Sequence, residues 1–186
     1  MDGLTIIQPI EELKPLITGL AVGSDPALER QLIEKSRQSN IVKYTPKDAS
    51  SRFGSQEMLE KWRAGGREIH WLLGKDNDLA GIIWYGKKDF PLDMQLPEVP
   101  TETFAIRLYD GYTGHRLSGP FMRQSLAVHA KMQKEQGGSV AGIWLETDVD
   151  NPAALASYTK FGYQEVGRDD KRVTMVLYPS QILAKL

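Results

Sequence analysis

The chain has 186 residues, 41% of them hydrophobic and 25% charged, which predicts one globular domain over residues 1–186 with a core that needs no staples. Its net charge of −1 gives no electrostatic footprint for nucleic acid or an anionic membrane. Cysteine is absent, which removes disulfides, thiolate metal sites and cysteine nucleophiles together. No run nears the roughly 18 apolar residues that a bilayer span needs. MDGLTIIQPI has neither the basic nor the apolar region of a secretion signal, so a soluble cytoplasmic protein is expected.

In chain order, LTIIQP (residues 4–9) reads as a strand ended by Pro9, and residues 10–20 show helical spacing. A clearer helix spans residues 26–39, with Asp25 as cap, Pro26 in the first turn, and Leu28, Leu32 and Ile33 inward. Residues 41–44 read as a short extended piece before the turn chemistry of TPKDASS. Ser55 then caps a helix holding Met58, Leu59 and Trp62, closed by Gly65 and Gly66.

The period then changes. EIHWLLGKDNDLAGIIWYG is a hairpin of two apolar runs about the turn GKDND. Residues 87–102, with three prolines and no period, form a long loop, either a binding element or an inert insertion. TFAIRLYD (103–110) is a strand, and GYTGHRLSGP leads into a helix with Phe121, Met122, Leu126, Val128 and Met132 buried. VAGIWLE and its continuation (140–147) form the next strand, followed by a short helix from Asn151-Pro152 to Phe161-Gly162. GYQEVGR and KRVTMVLYP make a closing antiparallel pair, and the tail QILAKL is apolar enough to pack on the body or on a second copy. A monomer or a homodimer is expected.

Only the strands at 103–110 and 140–147 are joined by a helical crossover, so they alone should be parallel neighbours. The predicted class is α+β, sandwich-like, with a mixed, mostly antiparallel central sheet of about seven strands and helices on both faces.

Two stretches can carry chemistry. Between Asp110 and Phe121 lie Gly111, Gly114 and Gly119 with His115, Arg116 and Ser118, between a strand and a helix. Free N–H groups and the dipole of a helix start make a phosphate cradle there, or the glycines merely turn the chain. Further on, Asn151, Ala154, Leu155, Tyr158 and Phe161 share a helix face that should be buried, yet Asn151 and Tyr158 carry polar tips. Asn151 can be a cap, and Tyr158 a core tyrosine with a satisfied hydroxyl. Glu146 ends the preceding strand. Trp71, Trp84 and Trp144 read as core rather than as an aromatic cage.

With these residues in view, the chain resembles the GCN5-related N-acetyltransferases. LETDVDNPAALASYTKFGY looks like the family region in which a strand, an Asn and a Tyr precede an aromatic-Gly-aromatic helix end. AIRLYDGYTGHRLSGPFM occupies the place of the acetyl-CoA loop, and the element order extends the likeness over residues 4–178. The loop departs from the family pattern of Arg or Gln, two residues, Gly, one residue, then Gly or Ala. Those positions hold Thr113, Arg116 and Ser118.

The resemblance implies acetyl-CoA as co-substrate, no metal, and direct transfer to a primary amine, which can be a small amine, a protein or peptide N-terminus, or a lysine. It implies that the pantetheine arm pairs with the backbone of Ile106, Arg107 and Leu108. The pyrophosphate would rest on Gly114, His115, Arg116, Leu117, Ser118 and Gly119, and Asn151, Ala154 and Tyr158 would line the cofactor. It places Tyr158 as the group that meets the departing thiolate. A phenol near 10 does not readily protonate a thiolate of pKa about 8.5, so a strengthening hydrogen bond is its better role. Glu146 matches the base of enzymes acting on N-termini. A carboxylate near 4.3 needs burial or a relaying water to deprotonate an ammonium. His70, Glu102 and Asp110 are rival bases, His70 being structural or acceptor-facing. The acids Asp89, Asp93, Glu98 and Glu102 hint at a cationic acceptor. The competing expectation is a non-catalytic protein of this fold that binds CoA or a partner as a sensor.

Overall fold

The computed structural model describes residues 5–7 and 16–185. The elements run β1 (Thr5–Ile7), β2 (Ile17–Val22), α1 (Pro26–Lys35), α2 (Ser39–Tyr44), α3 (Gln56–Arg63), β3 (Glu68–Gly74), β4 (Leu79–Lys87), β5 (Glu102–Leu108), α4 (Ser118–Glu135), β6 (Ile143–Asp148), α5 (Pro152–Phe161), β7 (Gln164–Arg168), β8 (Arg172–Leu177) and α6 (Pro179–Leu183). The strands form one sheet in the order β1-β2-β3-β4-β5-β6-β8-β7. β5 and β6 are parallel, and β1-β2, β2-β3, β6-β8 and β7-β8 are antiparallel. The mixed α+β architecture expected from the sequence is thus present, with eight strands among the described residues where about seven were expected.

The extra strand is β2, where helical spacing predicted a helix over residues 10–20. Residues 10–15 of that segment lie outside the described residues, and Ile17–Val22 is extended and paired with β3. Five of its six residues are buried, so no alternation of apolar and polar residues marked it as a strand. Residues 41–44, expected to be extended, belong to the helix α2. Of the first strand expected over 4–9, Thr5–Ile7 is paired with β2, and residues 4, 8 and 9 lie outside the described residues.

The chain clusters into two compact units, residues 1–84 with 106–121, and residues 85–105 with 122–186. In the first, Leu28 and Leu32 of α1, Leu59 of α3, and Leu20, Trp71, Leu72 and Ile82 of the strands are buried. Asp25 caps α1 through the N–H groups of Ala27 and Leu28, and Ser55 caps α3 through that of Met58, as the sequence predicts. A wide helical turn, Asp48–Arg52, closes with Phe53 N–H donating to the Asp48 carbonyl at 2.7 Å.

The second unit buries Phe104, Met122, Leu126, Trp144, Tyr158, Phe161, Tyr163 and the inner residues of β8. Trp71, Trp84 and Trp144 are all core residues. On α4 the buried face runs through Phe121, Met122, Ser125, Leu126, His129 and Ala130, while Val128 and Met132 are only half-buried. The tail packs on its own unit: Ile182 is fully buried and the Lys185 ammonium lies 5.0 Å from the Phe161 ring centre. Among the described residues no helix is long and apolar enough to cross a membrane.

Candidate functional site

In the first unit, β5 delivers the chain to a turn at residues 111–116, and Leu117 anchors it in the core. The Leu117 carbonyl accepts from Phe121 N–H at 3.0 Å, so α4 starts at Ser118 with the N–H of Gly119 inside the first turn and Pro120 contributing none. Gly114, His115 and Arg116 are exposed, and Ser118 and Gly119 are half-buried. A Cβ at Gly119 would meet nothing within 4 Å, so there is open space beside the helix start. Backbone φ is positive at Gly111 (86°), Gly114 (80°) and Arg116 (59°). Arg116, where the resembled family usually has glycine, therefore keeps the left-handed backbone that glycine adopts freely.

The loop is held from its near end. Tyr112 packs on Gly74, where a Cβ would come within 2.0 Å of its hydroxyl. Partial burial and a hydrogen bond to Asp78 push the Tyr112 phenol up to about 12. Lys35 pairs with Asp78 at 2.9 Å and sits over the Tyr112 ring.

Ile106, Arg107 and Leu108 are half-buried on β5. The parallel register with β6 covers Glu102↔Ile143 and Thr103↔Trp144, and Phe104 and Ala105 of the same unit are not in that ladder. The Arg107 side chain is committed elsewhere: its Nε donates to Asp48 Oδ2 at 2.6 Å and its guanidinium lies 4.8 Å from the Trp84 ring centre.

In the second unit, Asn151 caps α5, its Oδ1 accepting from Ala154 N–H at 3.2 Å, and Gly162 (φ 114°) ends the helix. Ala154 is half-buried. Tyr158, one turn on, is 8% exposed, with its ring edge-on to Tyr163 at 5.7 Å and to Phe104 at 6.4 Å. Burial holds the Tyr163 phenol well above its ordinary value. Glu146 is exposed on β6, opposite Thr174 of β8. Ala154 and Tyr158 thus lie on α5 with Asn151 as its cap, and residues 114–119 run from the turn through Leu117 into the first turn of α4.

Of the rival bases, His70 is buried in β3 and bonded to Glu68, and Asp110 is exposed. Glu102 is not a loop acid. It opens β5, is buried, and accepts from Gln133 Nε2 at 2.8 Å beside a 2.8 Å contact to His129 Nε2. His129 stacks on Tyr85 with centroids 3.8 Å apart, and Tyr85 Oη lies 3.0 Å from Ser125 Oγ. Sequence reading missed this network. Its only signal was that Ser125 and His129, four apart, fall on the inward face of α4. Among the described residues no group of three or more His, Cys, Asp or Glu is placed to hold a metal ion.

No protein-family model matches the chain, and no curated protein sequence matches it. Solved structures do. The spermidine N-acetyltransferase of Vibrio cholerae, solved with CoA and spermine, matches with a TM-score of 0.66 at 16% identity, over 88% of this chain and 98% of that one. An aminoglycoside acetyltransferase solved with coenzyme A matches with a TM-score of 0.63 at 14% identity, over 89% of this chain and 96% of that one.

The chain has the GCN5-related N-acetyltransferase fold.

An uncharacterised protein of Bacillus halodurans shares that fold with it, with a TM-score of 0.64 at 14% identity over 90% of this chain and 88% of that one. The sequence resemblance placed its candidate residues on β5, the turn after it, the first turn of α4, and α5 with its cap, except Glu146, which lies within β6.

Proposed function

We propose that the chain is an acetyl-CoA-dependent N-acetyltransferase acting directly on a primary amine. The observation that carries the reading is the short parallel ladder. β5 continues to Leu108, but its pairing with β6 ends at Thr103 and Trp144. An interrupted ladder leaves strand-like N–H and C=O groups for an extended ligand arm, and Ile106, Arg107 and Leu108 are the residues that would receive it. The GCN5-related fold supports the same reading, since the V. cholerae and aminoglycoside enzymes of that fold were solved with CoA.

The residues present fit the co-substrate. The turn at Gly114, His115 and Arg116 and the N–H of Gly119 form an anion cradle with open space at Gly119. Acetyl-CoA, when bound, supplies an acyl thioester open to attack by a neutral amine. The chain's contribution is positioning and electrostatics. Tyr158 offers a hydroxyl from a ring fixed by Phe104 and Tyr163, suited to a hydrogen bond that strengthens as sulfur gains charge. Asn151 caps α5 and so holds the pitch of the helix that carries Tyr158. Glu146, being exposed, suits relaying the amine proton to bulk water rather than holding it in a closed site.

Calorimetric titration with acetyl-CoA, followed by a free-thiol assay across an amine panel, tests the proposal. Binding together with thiol release for at least one amine is expected. Binding with no release for any amine would replace the enzyme by a CoA-binding sensor, and no binding would overturn both.

A further inference from the structure

Three arginines of the first unit converge on one aromatic wall. Trp62 and Trp84 meet edge to face at 5.3 Å, and Phe53 packs on both. The Arg107 and Arg52 guanidiniums lie 4.8 and 5.7 Å from the Trp84 ring centre, and that of Arg67 lies 5.2 Å from the centre of Trp62. One carboxylate serves two of them. Asp48, with a side chain 1% exposed, pairs with Arg107 at 2.6 Å and with Arg52 at 2.7 Å. Arg67 bonds the Trp62 carbonyl at 3.0 Å and, among the described residues, pairs with no carboxylate. Burial and the charge of Arg52 both hold the Arg67 guanidinium below its ordinary value, as an under-compensated cation would be.

We infer that this arginine–tryptophan cluster receives an anionic group of the acceptor, which makes the acceptor an amine that carries a carboxylate. The inference rests on the transferase reading above and names the substrate class for it. Asp48 fixes Arg52 and Arg107 in place, while Arg67, whose Nη1 donates to the Trp62 carbonyl, has its Nε and Nη2 edge left for a planar oxyanion. Stacking on indole limits the side-chain entropy lost when that fork is used. The location fits an acceptor more than the co-substrate's phosphates. Arg107 lies between Ile106 and Leu108, whose backbone is assigned to the pantetheine arm, whereas the phosphate cradle lies in the turn beyond β5. The exposed acids Asp89, Asp93 and Glu98, which hinted at a cationic acceptor, have no comparable packing around them.

The test uses two readouts on the full chain. In the first, N-acetylphenylalaninate and its amide are titrated calorimetrically into the wild type, Arg67→Gln and the control Arg168→Gln, whose guanidinium is bound to exposed Glu165. The carboxylate should bind about tenfold tighter than the amide, Arg67→Gln should remove most of that ratio, and Arg168→Gln should keep it. Equal binding of the two probes, an unchanged ratio in Arg67→Gln, or displacement of the carboxylate by adenosine 3′,5′-bisphosphate would each overturn the inference. In the second, amino acids and their amides compete in the thiol-release assay. Release without preference for the free carboxylate sinks this inference alone. Carboxylate-selective binding with no release from any amine sinks the transferase reading and leaves the anion site standing.

Discussion

At position 116 an arginine holds a backbone conformation (φ 59°) that glycine adopts without strain, at a cost of roughly 1–2 kcal/mol. If the cradle works through N–H groups, the conformation matters and the side chain does not. Arg116→Gly should therefore keep acetyl-CoA affinity within about threefold, while Arg116→Pro, with φ locked near −65°, should lose about tenfold or more. Calorimetric titration of both variants separates the roles, and an equal loss in the two would assign the work to the guanidinium. The motif departure at 116 was visible in the sequence, but its consequence depends on φ, which no motif reports. Buried polar pairs were equally hidden. His129 and Glu102 stand 27 positions apart, and nothing local links them. His129→Leu leaves the buried Glu102 carboxylate with Gln133 as its partner among the described residues, and should cost about 3 kcal/mol in urea unfolding. A loss under about 1 kcal/mol would mean the pair is worth no more than an exposed one.

Elements with strong punctuation were legible. α5 begins at the Asn151 cap and ends at left-handed Gly162, and α1 and α3 begin where Asp25 and Ser55 place them. The errors fell on short or wholly buried elements. β2 shows no alternation because almost all of it is covered, and α2, six residues with Ile41 and Val42 adjacent, reads as extended by propensity. The tail is a case where sequence left two outcomes and packing favours one. Ile182 is buried in its own unit, so truncation after Pro179 should cost roughly 1.5–3 kcal/mol in thermal or urea unfolding. Unchanged stability would return the tail to the role of an interface between copies. The turn after β5 depends on an element far from it in sequence, the β3–β4 connection. Gly74→Ala would drive a methyl into Tyr112, and Asp78→Ala would remove that tyrosine's hydrogen bond. Both should raise the KM for acetyl-CoA several-fold with kcat little changed. The Tyr112–Asp78 bond belongs to the neutral phenol. It is intact below the ordinary tyrosine value near 10 and is lost as pH rises through about 12.

At the scale of the whole molecule, the element order carried the fold. A single helical crossover marked β5 and β6 as the parallel pair, and turn lengths forced antiparallel neighbours for the closing hairpin. What that order could not show is where the parallel ladder stops, because the end of a ladder leaves no local pattern. The same limit hid Asp48 and Arg107, 59 positions apart, whose pairing holds the Arg107 guanidinium against the Trp84 ring. Composition gave the charge balance but not its segregation into an arginine cluster on one unit. The claim that joins these observations is that the chain moves an acetyl group from sulfur to nitrogen with Tyr158 supporting the departing thiolate. It is tested most directly by measuring free CoA thiol and N-acetylated amine in the same reaction, for the wild type and Tyr158→Phe. The two products should appear in equal amounts, and the variant should lose about tenfold or more in kcat while keeping its acetyl-CoA affinity. Thiol release without acetylated amine, or a Tyr158→Phe enzyme as fast as the wild type, would contradict it.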